Sequence, residues 1–147
     1  MTEEQVTKAI LKWLLAHDWK IVCYDFPQSG TGRFLHPNGT THKTKDSVNP
    51  DIVAVKGNIC LFFENKDHFY FPDYEKQNDL IVHDRYSDAI SELLRPYPVE
   101  QIFYGIGYPT DQFKGKAAEQ KTLVDFIVGV APNGTPDFLY RKHDIQI

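Results

Sequence analysis

The chain has 147 residues and a formal net charge of −4. That length suits one domain with a sizeable hydrophobic core, and the charge has the wrong sign for a general nucleic-acid binder, which is usually basic. No apolar run is long enough to span a bilayer, and neither a signal peptide nor a membrane partner is expected.

Thr2-Glu3-Glu4-Gln5 reads as a capping box, and Val6, Ile10, Trp13 and Leu14 recur at helical spacing, which predicts a helix over about residues 3–16. Glu3 shares the stripe of Val6 and Ile10, whereas Glu4 lies toward Leu11 and Leu15. Trp19 to Phe26 is rich in β-formers and reads as the first strand, ended by Pro27. The two cysteines, Cys23 and Cys60, fall in predicted strands and read as small buried hydrophobes. No CxxC and no zinc-finger histidine pair is present, so no zinc site is expected, and the default location is the reducing cytoplasm.

Residues 28–49 differ from their neighbours. They carry Gly30, Gly32, Pro37 and Gly39, no sustained apolar pattern, and Arg33, Lys43 and Lys45 with His36 and His42 against one acid, Asp46. This is a long basic loop or a loose hairpin in an acidic chain, a length that is usually functional or disordered, and Arg33, Lys43 and Lys45 are the expected contacts to a phosphate backbone. Gly30-Thr31-Gly32 lacks the Gly-Lys-Ser/Thr ending of a phosphate-binding loop.

Asn49 to Lys66 reads as two strands around Lys56-Gly57-Asn58. With Gly57 and Asn58 as the loop, residue 56 faces 59, 55 faces 60, and counting outward sets Asp51 opposite Glu64. Side chains alternate along a strand, so Lys66 shares the face of Glu64. Cys60 and Phe62 on one face and Leu61 and Phe63 on the other mark the second strand as central, covered on both sides.

Asp67 to Pro72 reads as a crossover. Asp73 is the expected N-cap of a helical region from about Tyr74 to Leu94, broken near His83–Asp88 and stopped by Pro96 and Pro98. Gln101 to Tyr108 reads as a further strand, and the intervening helix permits it to run parallel to the Glu64 strand. Lys114, Lys116 and Lys121 suit a solvated loop or short helix. Leu123–Ala131 and Asp137–Lys142 form a last pair of strands around Pro132-Asn133-Gly134.

Like charges facing each other destabilise a strand pair, so Asp51 opposite Glu64 has a chemical reason more readily than a structural one. Two close carboxylates bind a hard divalent cation through oxygen. The spelling Pro50-Asp51, then Glu64-Asn65-Lys66, resembles the PD-(D/E)XK nuclease superfamily over roughly residues 1–110. Pro72-Asp73 and Pro136-Asp137 lead to no acidic-x-Lys and read as a helix start and a strand start.

The resemblance implies an α/β, restriction-endonuclease-like core: a mixed central sheet flanked by helices in the order αβββαβ, here with an extra C-terminal β-hairpin. It implies Asp51, Glu64 and Lys66 as catalytic residues. Asp51, Glu64 and the backbone carbonyl of Asn65 would hold Mg2+, with Mn2+ able to substitute, and a first-helix acid, Glu3 ahead of Glu4, would approach them. Lys76 and Gln77, on the helix after the catalytic strand, would contact nucleic acid. The expected activity is Mg2+-dependent endonucleolytic hydrolysis of DNA, restriction-type or defence-related, by a homodimer, since two cuts in a duplex need two sites. A Holliday-junction resolvase is the alternative of the same class, and RNA stays open as substrate. A non-catalytic nucleic-acid-binding or regulatory module is the alternative of another class.

Overall fold

The computed structural model describes residues 1–26, 29–40 and 46–147. Helix α1 (Glu3–Ala16) opens with the expected capping box: the Thr2 hydroxyl accepts the Gln5 N–H, and the Gln5 side chain accepts the Thr2 N–H. Such a cap is worth about 1 kcal/mol. Burying Val6, Ile10 and Leu14 completely stabilises by roughly 1.5–3 kcal/mol each, so packing of this stripe sets where the helix sits.

Strands β1 (Lys20–Tyr24), β2 (Ile52–Lys56), β3 (Ile59–Asn65), β4 (Gln101–Pro109), β5 (Phe126–Val130) and β6 (Pro136–Arg141) form one open mixed sheet in sequence order. The pairs β1–β2, β2–β3 and β5–β6 are antiparallel, while β3–β4 and β4–β5 are parallel. The last two strands therefore continue the sheet, with β5 seated along β4. The buried Asp125 side chain helps fix that edge by accepting the Tyr104 N–H at 2.9 Å.

Helix α1 covers one face of the sheet, against Ile52, Ala54, Leu61 and Phe63. Helices α2 (Phe71–Val82) and α3 (Ser87–Leu94) cover the other, where Leu80, Ile90 and Leu94 meet Val53, Cys60 and Phe62. A short helix α4 (Lys116–Glu119) lies between β4 and β5. Strand β3 is covered on both faces, as its doubly apolar pattern predicts.

One expectation needs correction. Helix α2 starts at Phe71 with Tyr70 as N-cap, and Asp73 lies inside its first turn. Pro72 is tolerated there because the first N–H groups of a helix have no intrahelical partner. Of the two readings of the segment after β1, its described residues agree with the loose hairpin. Leu35 and Val48 exchange both backbone hydrogen bonds, Leu35 is buried against the α2–α3 face, and Asn38 bonds to Asp84, Ser87 and Asp88.

Candidate active site

The β2–β3 ladder has the expected register, from Lys56–Ile59 at the turn to Ile52–Phe63 at the far end. The turn needs a left-handed residue, and Gly57 supplies it at φ 59°. One step beyond the ladder the pairing changes. The Asp51 N–H goes back to the Phe63 carbonyl at 3.0 Å, and Asp51 Oδ2 accepts the Asn65 N–H at 2.7 Å. Asp51 thus leaves the ladder, and its own carboxylate ties the end of β2 to the end of β3.

Glu64 is buried, with its Oε1 3.1 Å from Lys76 Nζ on α2. Burial pushes the Asp51 carboxyl above the ordinary carboxylate range, and the neighbouring Glu64 charge pushes it further, against the Asn65 N–H bond. Burial also raises Glu64, with Asp73 adding to the effect, while Lys76 and Lys66 oppose it. Two close buried carboxylates resist simultaneous ionisation. Lys76 favours charge on Glu64, so a shared proton falls to Asp51.

Burial works against the charge on Lys66, but Asp73, Glu3, Glu64 and Asp51 outweigh it and hold its pKa above the usual lysine value. Its Nζ lies 4.0 Å from Asp73 Oδ2 and 5.1 Å from the centre of the Tyr70 ring. Lys66 is therefore an ammonium ion held between an acid and an aromatic face. Asp73 was not among the sequence candidates. Its signal was the spacing Asp73, Lys76, Gln77, one face of a helix that starts before Pro72.

Glu3 stands near the same charges. Its pKa is raised by burial and by Asp67, Asp73 and Asp25, and lowered by Lys66. Glu4 instead pairs with Lys8 one turn on, at 3.1 Å. The Asn65 side chain turns to the opposite face, where its Nδ2 meets Thr7 Oγ1 at 3.1 Å, both residues fully buried.

Of the expected nucleic-acid contacts, Lys76 is engaged with Glu64. Gln77 is 2% exposed, and its amide donates to the Phe62 and Gly105 carbonyls at 3.2 and 2.7 Å. Gln77 thus bridges β3 and β4 from α2, and its side-chain NH2 is spent on that bridge instead of being presented at the surface. Arg33 is exposed and acts on Cys23, whose thiol is pushed up to about 11 by burial and partly restrained by that guanidinium. Lys43 and Lys45 lie outside the described residues.

Among the described residues no three His, Cys, Asp or Glu side chains form a group placed to hold a metal ion. The available donors are the two carboxylates of Asp51 and Glu64. Hard oxygens in that number suit Mg2+, which keeps several waters and uses one or two carboxylates plus substrate phosphate. They do not suit a closed zinc site. A divalent cation bound there would replace the proton on Asp51 and offset the repulsion between the two carboxylates.

No known family model matches this chain, and no curated protein matches its sequence.

Proposed function

We propose that this chain is a Mg2+-dependent endodeoxyribonuclease with a restriction-endonuclease-like core, restriction-type in its action and dimeric where it cuts both strands. The observation that carries the reading is the convergence of Asp51, Glu64 and Lys66 at one end of the β2–β3 hairpin. Both carboxylates there are held above their ordinary range and the lysine below them stays charged. The order α1, β1 to β3, the helix pair α2–α3, then β4, with β3 and β4 parallel, supports it.

Asp51 and Glu64 would hold the metal, with the Asn65 backbone carbonyl as a third oxygen. When bound there, Mg2+ lowers the pKa of a coordinated water and acts as a Lewis acid on the phosphate. Lys66, its charge favoured by the surrounding acids, would neutralise charge on the phosphate and orient the attacking water. Asp73 positions that ammonium. The Asn65 N–H positions Asp51, and Lys76 opposes the burial that raises the Glu64 pKa, favouring the ionised form that binds a cation. These parts sit on the ends of two central strands and one helix, which is the rigid placement a catalytic site needs.

The test is cleavage of plasmid and linear DNA with Mg2+ or Mn2+ beside the Glu64→Gln variant. Discrete fragments that vanish in the variant are expected. Cleavage by the variant at the wild-type rate, or none by the wild type on any nucleic acid, would overturn the reading.

A further inference from the structure

We propose that His68 is the general acid of the carboxylate site, its Nε2–H protonating the oxygen that leaves phosphorus, with Asp67 orienting the ring. This rests on the phosphodiester reading above and fills a role that reading leaves open. There Asp51 and Glu64 would hold the metal and Lys66 would neutralise charge, so none of them serves the leaving oxygen.

His68 follows Glu64 by four residues and Lys66 by two. The crossover that carries it is fixed on both sides. The Lys66 N–H donates to the Gly107 carbonyl at 3.0 Å, and the Phe69 N–H donates to Gln112 Oε1 at 3.1 Å. The Phe69 ring packs edge-on against buried Tyr74, with 5.1 Å between ring centres. His68 stands between these anchors with its side chain more than half exposed. The backbone is held while the ring reaches solvent, which suits a group that must meet a substrate.

Two distances place the ring in the neighbourhood of Lys66. Lys66 Nζ lies 5.1 Å from the centre of the Tyr70 ring, and the centre of the His68 ring lies 6.1 Å from the same point. Asp73 marks that neighbourhood too. Burial raises its carboxyl, and Lys66, Lys76 and His68 oppose the rise. Its Oδ2 is 4.0 Å from Lys66 Nζ. His68 and Lys66 therefore border one aromatic ring and act on one carboxylate. Catalytic hydrogen bonds tighten when substrate binds, and an exposed imidazole has the freedom to close on it.

The contact with Asp67 fixes which ring nitrogen is turned outward. His68 Nδ1 is 2.5 Å from Asp67 Oδ1. That bond holds the Asp67 carboxyl below the usual carboxylate range, so Asp67 is the acceptor and Nδ1–H the donor. Nε2 is then the nitrogen that can exchange a proton with another molecule. An aspartate behind a histidine sets tautomer and orientation in acid–base sites of this kind. In the step, the oxygen of the attacking water bonds to phosphorus and its proton goes to solvent. The bond from phosphorus to the leaving oxygen breaks, its electron pair stays on that oxygen, and the Nε2 proton joins it. The products are a hydroxyl end, a phosphomonoester end and a neutral ring, which solvent reprotonates.

The test compares wild type with His68→Gln on an oligonucleotide that wild type cuts, and on the same oligonucleotide with sulfur in place of the leaving oxygen. A thiolate leaves without a proton, so only the oxygen substrate needs the acid. His68→Gln should slow single-turnover cleavage of the oxygen substrate by about a hundredfold or more and that of the sulfur substrate by less than about threefold, with thermal unfolding unchanged. Equal losses on both substrates, or the wild-type rate on the oxygen substrate, would overturn the proposal. A second readout needs no turnover. Nitrogen NMR of the metal-free protein should show the neutral His68 ring as the Nδ1–H tautomer, shifting toward Nε2–H in Asp67→Asn; an Nε2–H ring in wild type would also overturn it. Cleavage that needs Glu64 and ignores His68 removes this proposal alone, whereas no cleavage by wild type on any nucleic acid removes the phosphodiester reading with it.

Discussion

Lys76 Nζ sits 3.1 Å from Glu64 Oε1, a contact between the first turns of α2 and the end of β3. Lys76 is about one-third exposed and Glu64 nearly buried, so the pair lies between the surface and interior cases. Removing one partner of a buried pair is costly because the other is left uncompensated, and partial solvent access reduces that cost. Lys76→Met should destabilise the metal-free protein by about 1–2 kcal/mol at pH 8. At pH 5 the effect should be smaller, because Glu64, its pKa raised, is then largely protonated and has little to lose. Thermal unfolding at the two pH values checks this; an equal loss at both would show that the ion pair contributes nothing.

Asp51 gives the opposite sign. Its folded pKa is raised above the unfolded value of about 4. An acid with a raised folded pKa stabilises the fold while protonated. That contribution is present below the unfolded pKa and is lost as pH rises toward the folded one. The metal-free wild type should therefore lose stability from about pH 5 upward. Asp51→Asn keeps an oxygen for the Asn65 N–H and removes the charge. It should abolish cleavage yet raise the midpoint at pH 8 by a few degrees, on the order of 1 kcal/mol. Calorimetry in chelator from pH 5 to 9 decides it, and a variant less stable than wild type at pH 8 would refute the unfavourable pairing.

Asp73 is predicted to act through Lys66. Lys66→Met should cut kcat by about a hundredfold or more, since under the proposed function it removes the charge that would neutralise the phosphate. Asp73→Asn should cost about tenfold, because Lys66 loses its anchor but not its charge. The discriminating readout is the Lys66 titration, followed by NMR of a specifically labelled Nζ. Its pKa should fall in Asp73→Asn, since Asp73 is the largest of the groups holding it up. An unchanged pKa would leave Asp73 a purely structural first-turn acid.

Much of this site was legible because hairpins obey counting. Gly57-Asn58 fixes the loop, the period of two fixes the faces, and Asp51, Glu64 and Lys66 then fall together without knowledge of anything distant. What happens past the last ladder pair was not legible: the Asp51 N–H turns back to Phe63, and no residue type announces that shift. Asp73 was hidden because Pro72-Asp73 reads as a helix start with Asp73 as its cap, whereas the first turn of a helix tolerates proline and the helix begins at Phe71. The register of the Leu35–Val48 bridge was hidden because these residues pair across a long separation in a stretch with no alternating apolar pattern. The parallel seating of β5 on β4 depends on long-range packing, such as Phe126 meeting Phe63 at 5.0 Å between ring centres, which local pattern does not encode.

Gln77 makes that limit testable. On sequence alone it is a polar residue in the first turns of a helix beside a catalytic strand, and a surface contact is the natural expectation. In the fold its amide donates to the carbonyls of Phe62 and Gly105 on neighbouring parallel strands, out of reach of solvent. Gln77→Met keeps much of the volume but leaves both carbonyls without this donor, which should destabilise the protein by about 1–3 kcal/mol. A nucleic-acid contact would behave differently, weakening binding and leaving the fold alone. Gln77→Met should therefore lower the unfolding midpoint while the folded fraction, at reduced temperature, binds oligonucleotide with wild-type affinity. Weakened binding with an unchanged midpoint would return Gln77 to the interface and mean that α2 can swing away from the sheet.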